Sequence, residues 1–529
     1  MSLLFPSFRN FILLVLVFCS SIFFSAGVIS ATVSPNTLSG TTYKSDLGAV
    51  ATVHPDATAA AAKQLQSGGN AIDAAIAAAL TLGVVDSYNS GIGGGLFALV
   101  HWADGRVEAI DAREKAPAKA HRDMYLRNSV AVPEWSRHGA LAIGIPGSVA
   151  AFEYMSQAGG VRPLQEIYED AAVIAESGFE LTPSYVRRLA GTQSTLLRFP
   201  EAASIFLDED KPWAVGHRLI QKDLAATYRK IAKQGAKYFY QGEFARSVDL
   251  WMKANDGIVR KEDFNAYQLR LRQPVESHFL GYQIYGFPPP SSGGVHVAEI
   301  LNMLELLSVQ RLPKDQQQHV LVEAMKLAFA DRAYWLGDPD FVSVPKGLID
   351  RRYAQSLVKQ IDHQKASRVN AHSVPPRAKQ DIFEKHTTHI SVADKQGNWV
   401  SMTTTLNTSF GSKVVIPGTG VLMNNQMDDF SAQPGAPNAY GLVGSEANSI
   451  RPGKRPLSSM SPTIVVRDGV PVLSVGAAGG PMIITQVVRV LMRYLAFDDS
   501  LYAALADPRV HQQWKPCLLY TSPSPRDRG

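Results

Sequence analysis

The chain has 529 residues, 46% of them hydrophobic and 19% charged, with a formal net charge of +5. That is ordinary globular composition, long enough for about three domains or fewer large ones, and no dense run of Lys and Arg marks a nucleic-acid partner. Its two cysteines, Cys19 and Cys517, leave none between residues 32 and 516, which excludes a disulfide scaffold, a cysteine nucleophile and a thiolate metal site there.

In chain order, Arg9 precedes the apolar run "FILLVLVFCSSIFFSAGVISA". Residues 1–31 read as a secretory signal peptide cut after Ala31, with a retained membrane anchor as the alternative. The expected location is therefore periplasmic or secreted. "GAVATVHP" (48–55) predicts a buried strand. Two alanine-rich helices follow, one closed by Ser67-Gly68-Gly69 and the next opened by Asn70 with Asp73. "NSGIGGGLFALV" (89–100) is a glycine-rich turn feeding a strand. Its spacing is not that of a dinucleotide loop, so close backbone packing is the better reading.

"IDAREKAPAKA" (110–120) puts Arg113 just after a strand, and "PPPSSGGVHVAEILNMLELL" (288–307) is a rigid turn running into a helix. "HVLVEAMKLAFADRAYWLGDP" (319–339) predicts a helix ended by Gly337 and Pro339. Residues 362–386 read as a polar linker, after which "ISVADKQGNWVSMTTTLNTSFG" alternates as strands about a polar turn. "TIVVRDGVPVLSVGAAGG" (463–480) is a hairpin with Asp468-Gly469 at its turn. After "DPRVHQQWKP" the text becomes "CLLYTSPSPRDRG", and residues 516–529 read as a non-native tail. Strand and helix runs coexist without strict alternation, which points to α+β or a layered mixed fold.

There is no G-x-S-x-G elbow, no H-E-x-x-H and no phosphate-binding loop. Hydroxyls remain. A threonine hydroxyl needs a base, and its own α-amine serves when threonine is the N-terminal residue. That amine has a pKa of about 7.7 to 8.0, close to working pH. "EKHTTHIS" (384–391) joins the linker to a strand that begins with threonines. A cut at that join would create such an N-terminus.

The motifs "TTHISVADKQGN", "TLNTSFG", "LMNNQMDDFS", "PNAYGLVG", "KRPLSSMSPTIVV" and "GAAGG" together resemble the γ-glutamyltranspeptidases. Upstream, "SGIGGG", "REKAPAKA", "PPPSSGG" and "EAMKLAFADRAYWLGDPDF" agree in order, so the resemblance spans roughly residues 45 to 514. It implies a four-layer αββα sandwich, the N-terminal nucleophile hydrolase fold, and a precursor cut into two intertwined subunits. It also implies a self-processing γ-glutamyl acyltransferase and hydrolase. Glutathione and related γ-glutamyl amides would be donors, with water, amino acids or dipeptides as acceptors. No cofactor and no metal is expected.

Carried onto this chain, the resemblance makes His386–Thr387 the autocleavage bond and Thr387 the nucleophile. Thr405 would support its activation, and Gly479 and Gly480 would hold the oxyanion through backbone N–H groups. Arg113, Ser458 and Ser459 would grip the donor's α-carboxylate, while Asn407, Gln426 and Asp429 would accept its α-ammonium. Asp428 reads as structural, His389 has no catalytic role, and Tyr440 bars a lid over the pocket. The implied domains are the leader 1–31, a large subunit 32–386 with a flexible linker at about 362–386, a small subunit 387–515 and the tail 516–529. Family small subunits continue past the "HQW" point, so the small subunit reads as truncated. Alternatives are a cephalosporin or glutaryl acylase, a poly-γ-glutamate transferase, or an unprocessed inactive precursor.

Overall fold

In the computed structural model, residues 41–375, 388–433, 446–515 and 518–522 are described. The leader, His386, Thr387 and Tyr440 lie outside them. All described residues belong to the unit running from Ser39 to Gly529.

Two antiparallel sheets form the middle of the molecule. The first is built from β1 (Thr41–Ser45), β2 (Gly48–Thr52), β3 (Gly95–His101), β4 (Val107–Ala112), β5 (Arg270–Arg272), and, far along the chain, β8 (Thr388–Asp394) and β9 (Trp399–Thr405). The second holds β6 (Val275–Phe279), β7 (Tyr282–Gly286), β10 (Thr463–Arg467) and β11 (Val470–Val475). The first sheet runs β1-β2-β8-β9-β3-β4-β5 and the second β6-β7-β10-β11. Strands from both sides of the expected cut thus share each sheet, and in the first β8 and β9 lie between β2 and β3.

Helices cover the outer faces. Against the first sheet lie α1 (Pro55–Gln66), α2 (Ala71–Val85) and α3 (Ser148–Gly159), backed by α4 (Leu164–Ser177) and α5 (Lys222–Gln234). Against the second lies α6 (Gly293–Leu306), flanked by α7 (Lys314–Trp335), α8 (Arg351–Val358) and α9 (Met482–Leu491). This is the expected αββα order.

The strand period explains the layering, because successive side chains point to opposite faces. In β3, Leu96, Ala98 and Val100 join the core under the helices, while Phe97 and Leu99 join the core between the sheets. Phe97 stacks on Phe287 at 4.1 Å between ring centres.

Local signals set the elements. Asn70 caps α2 in a full capping box with Asp73. Asp468 and Gly469 take φ of 52° and 79°, as the hairpin turn between β10 and β11 requires. The glycine-rich turn serves close packing: a Cβ on Gly93 would lie 2.1 Å from the Leu422 carbonyl oxygen, and one on Gly94 1.9 Å from that of Thr405. Gly94→Ala should therefore push away the end of β9 and cost about 1–3 kcal/mol, read as a lower midpoint in denaturant unfolding.

The expected linker has no helix or strand over its described part, 362–375. It is nonetheless strapped to α7: the Ser367 N–H donates to Glu323, the Ser373 N–H donates to Asp331 at 2.7 Å, and Lys326 donates to the Ser367 carbonyl at 2.6 Å. Within the stretch read as a tail, Tyr520–Ser522 pairs antiparallel with Arg509–His511.

Candidate active site

β8 opens at the centre of the first sheet, with Thr388 opposite Thr404 on β9. Thr388 is buried on the helix side, near Asp86 at the end of α2. Burial pushes the Asp86 carboxyl up to about 7, against the hydrogen bonds it accepts from Asn89. The opposite face of β8 carries His389 and Ser391 toward the second sheet. His389 Nδ1 lies 2.9 Å from Thr403 Oγ1 and its Nε2 lies 3.1 Å from Ser391 Oγ. Ser391 Oγ in turn lies 2.8 Å from Ser474 Oγ on β11. Gly476 leaves room for the imidazole, since a Cβ there would sit 2.2 Å from Nδ1.

Burial pushes His389 down to about 3, so it is neutral at physiological pH. The folded value lies below the ordinary value near 6.5. Its contribution to stability is therefore complete above pH 6.5 and is lost as pH falls from there toward 3. His389→Gln should flatten the fall in urea midpoint between pH 7 and pH 5 relative to the parent chain.

On the same face of β9 as Thr403, Thr405 Oγ1 accepts the Asn407 N–H at 2.8 Å and holds the chain as it leaves the strand. Asn407 takes a φ of 80° and donates its amide to the Asn425 carbonyl at 3.1 Å. Its Oδ1 is buried without a hydrogen-bond partner among the described residues. So are both amide atoms of Gln426, which opens the short helix Gln426–Asp429. Such orphaned polar atoms cost about 1–3 kcal/mol each and are rare unless something else satisfies them.

Gly479 and Gly480 lead from β11 into α9 with φ of 117° and 67°. Among the described residues neither N–H has a partner. Two free amides beside a helix N-terminus present partial positive charge.

The charged groups come from distant segments. Arg113 follows β4, and its NH2 donates to Asp429 while its Nε donates to the Pro456 carbonyl at 3.1 Å. Both members of the pair are buried. The two residues expected to hold opposite ends of a donor therefore hold each other here. Their neighbour Glu114 lies 3.5 Å from Arg113 NH1. Burial raises its carboxyl to about 7, against the pull of Arg113.

Ser458 and Ser459 are fully buried. Ser458 Oγ accepts the Met460 N–H at 3.1 Å, and Ser459 Oγ accepts from Arg332 NH2 at 2.6 Å. Asp428 accepts from Ser136, with Arg137 at 3.6 Å. Residues that sequence reasoning missed are Glu114, Ser292 and Arg332. A lone arginine inside the alanine-rich helical run "LAFADRAYW" was the available signal, because an arginine at 0% exposure there needs partners.

Among the described residues no three His, Cys, Asp or Glu are grouped to hold a metal ion. No described helix is long and apolar enough to cross a membrane.

The model of the gamma-glutamyltranspeptidase family matches residues 57–526 of the chain. This chain belongs to that family. It is 42% identical to the glutathione hydrolase proenzyme of Pseudomonas sp. (strain A14) over 476 residues, covering 89% of this chain and 82% of the relative. The glutathione hydrolase proenzyme of Escherichia coli (strain K12) is also 42% identical, with 89% and 81% covered. Among solved structures, a cephalosporin acylase from Bacillus halodurans superposes with a TM-score of 0.79 at 27% identity, covering 91% of this chain and 86% of that one. The fold is that of the N-terminal nucleophile hydrolases. The family match runs past Trp514, where the resemblance read from motifs ends.

Proposed function

We propose that this chain is a self-processing γ-glutamyl hydrolase and transferase acting on glutathione and related γ-glutamyl amides. The observation that carries the reading is a set of buried polar groups. Asp429 pairs with the Arg113 guanidinium, Asn407 Oδ1 and Gln426 Oε1 are buried acceptors without a partner among the described residues, and the Ser458 and Ser459 hydroxyl oxygens each accept a hydrogen bond. The carboxylate and the two amide oxygens suit an ammonium, and the guanidinium and the hydroxyls a carboxylate. An α-amino acid end carries both groups. The family membership and the glutathione hydrolase relatives support the same donor class.

In this reading the Thr387 hydroxyl first attacks the His386 carbonyl. The attack displaces the Thr387 α-amine and leaves an ester, which water opens to release the Thr387 hydroxyl and the His386 carboxylate, giving a large and a small subunit that stay together. That amine then takes the hydroxyl proton as Thr387 attacks the donor's γ-carbonyl. Negative charge builds on the carbonyl oxygen, where the Gly479 and Gly480 N–H groups would stabilise it. The amine of cysteinylglycine leaves with a proton, and a γ-glutamyl ester remains. Water, an amino acid or a dipeptide resolves it. Thr405 would have the role of supporting the nucleophile. Tyr440 would close the lid and favour aminolysis over hydrolysis. Residues 1–31 would direct export to the periplasm or medium and then be removed.

The test compares purified protein on γ-glutamyl-p-nitroanilide and glutaryl-p-nitroanilide, which differ by the α-ammonium. The γ-glutamyl donor should be preferred by at least about 10²-fold, because buried acceptors left unpaired reject the poorer analogue. Preference for the glutaryl donor would establish an acylase instead.

A further inference from the structure

We propose that Arg332, on α7, is a positioning and specificity-determining residue for the donor's α-carboxylate; the inference rests on the γ-glutamyl reading above. Arg332 is wholly buried, and its fork spans two segments that would otherwise be independent. Nε donates to Ser292 Oγ at 2.7 Å and NH2 donates to Ser459 Oγ at 2.6 Å. Ser292 in turn donates both its N–H and its hydroxyl to the Ser458 carbonyl, each at 2.8 Å. One planar guanidinium thus holds the backbone of one serine of the pair and the side chain of the other.

The polarity of these bonds decides what the pair can bind. Guanidinium donates and never accepts, so Ser459 Oγ must be the acceptor and its proton is left for another group. Ser458 Oγ likewise accepts a backbone N–H. Both hydroxyls are therefore turned into donors, which fits a carboxylate and repels an ammonium. Arg332 also brings a second positive charge beside Arg113, and the two feel the same carboxylate, Asp429. Behind it, His296 is held neutral by burial and by the Arg332 charge, and Glu299, 2.6 Å from His296, is held protonated by burial and by Asp331. Lysine cannot reproduce this grip, because an ammonium lacks the fixed fork that reaches both serines.

The experiment measures KM and kcat for the whole chain and for Arg332→Lys, Ser459→Ala and their double variant. It uses two donors, L-γ-glutamyl-p-nitroanilide and 4-aminobutyryl-p-nitroanilide, which lacks only the α-carboxylate. A denaturing gel reports self-cleavage in each sample. Arg332→Lys should raise KM for the carboxylate-bearing donor about 10- to 100-fold, the range for a lost charge-assisted hydrogen bond, and change kcat by less than about threefold. It should leave the carboxylate-free donor unaffected, and the double variant should be no worse than the more impaired single one. Where Arg332→Lys fails to process, Ser292→Ala keeps the guanidinium but removes one anchor, and should raise KM for the carboxylate-bearing donor alone. Equal losses on both donors, or a fall in kcat with KM unchanged, would overturn the assignment. A parent chain that self-cleaves yet turns over no γ-glutamyl donor would sink the underlying reading rather than this one.

Discussion

Thr387→Ala should leave a single uncut chain with no measurable γ-glutamyl turnover. The expectation follows from what the residue must supply. No other residue is proposed to give both a hydroxyl and a free α-amine, and the amine exists only after the His386–Thr387 bond opens. The His389 imidazole is no substitute, because it is pushed down to about 3 by burial and is engaged by Thr403 and Ser391. Loss of the nucleophile of such a unit costs on the order of 10⁶ in rate in hydrolases of comparable logic. Mass and N-terminal sequencing of the parent chain, expressed without residues 1–31, should find a fragment beginning Thr387-Thr388-His389. Thr387→Ser should still cut and turn over at a reduced rate, since it keeps the hydroxyl and the amine. A cut in Thr387→Ala at the same bond would show that an outside protease makes it, and residual turnover would place the nucleophile elsewhere.

Asp429→Asn is the second change with a large effect. The substitution keeps shape and removes charge, so it leaves Arg113 buried beside a neutral amide. Breaking a buried pair by removing one partner costs about 3–5 kcal/mol. The donor's ammonium loses its only charged acceptor in the proposed set, and kcat/KM should fall by about 10²–10³-fold, the weight of a charge-assisted hydrogen bond in a dry site. Stability and binding can be separated with the double variant Arg113→Met, Asp429→Leu. It removes both charges and should recover much of the lost unfolding midpoint while recovering no turnover. If activity returned with stability, Asp429 would be scaffold and the assignment of the ammonium site would be wrong.

The two sites of change differ in how they were reached. Thr387 was legible as a candidate because its reasons are local. A polar linker, a strand start and a hydroxyl lie within a few residues of one another. The same holds for the Asn70 cap, the Asp468-Gly469 turn and the glycine turn before β3, each of which obeys a rule of period, φ or capping that neighbours in sequence express. The ordered motifs carried the family, and with it the αββα layers and Arg113, Asn407, Gln426, Asp429, Ser458 and Ser459 as candidates.

Tertiary structure decided who holds whom. Arg113 and Asp429 are 316 residues apart in sequence and Arg332 and Ser459 are 127 apart. No period or spacing encodes such a pairing. It arises because folding brings the residue after β4 to the short helix Gln426–Asp429, and α7 to the serines before β10. Once there, burial makes an unpaired charge too costly to leave, so each guanidinium takes whatever carboxylate or hydroxyl the packing brings. That is why the sequence alone named candidates but not their partners, and why Arg332, announced only by a charge within an alanine-rich helical run, showed what it holds when the helix was laid against the serines.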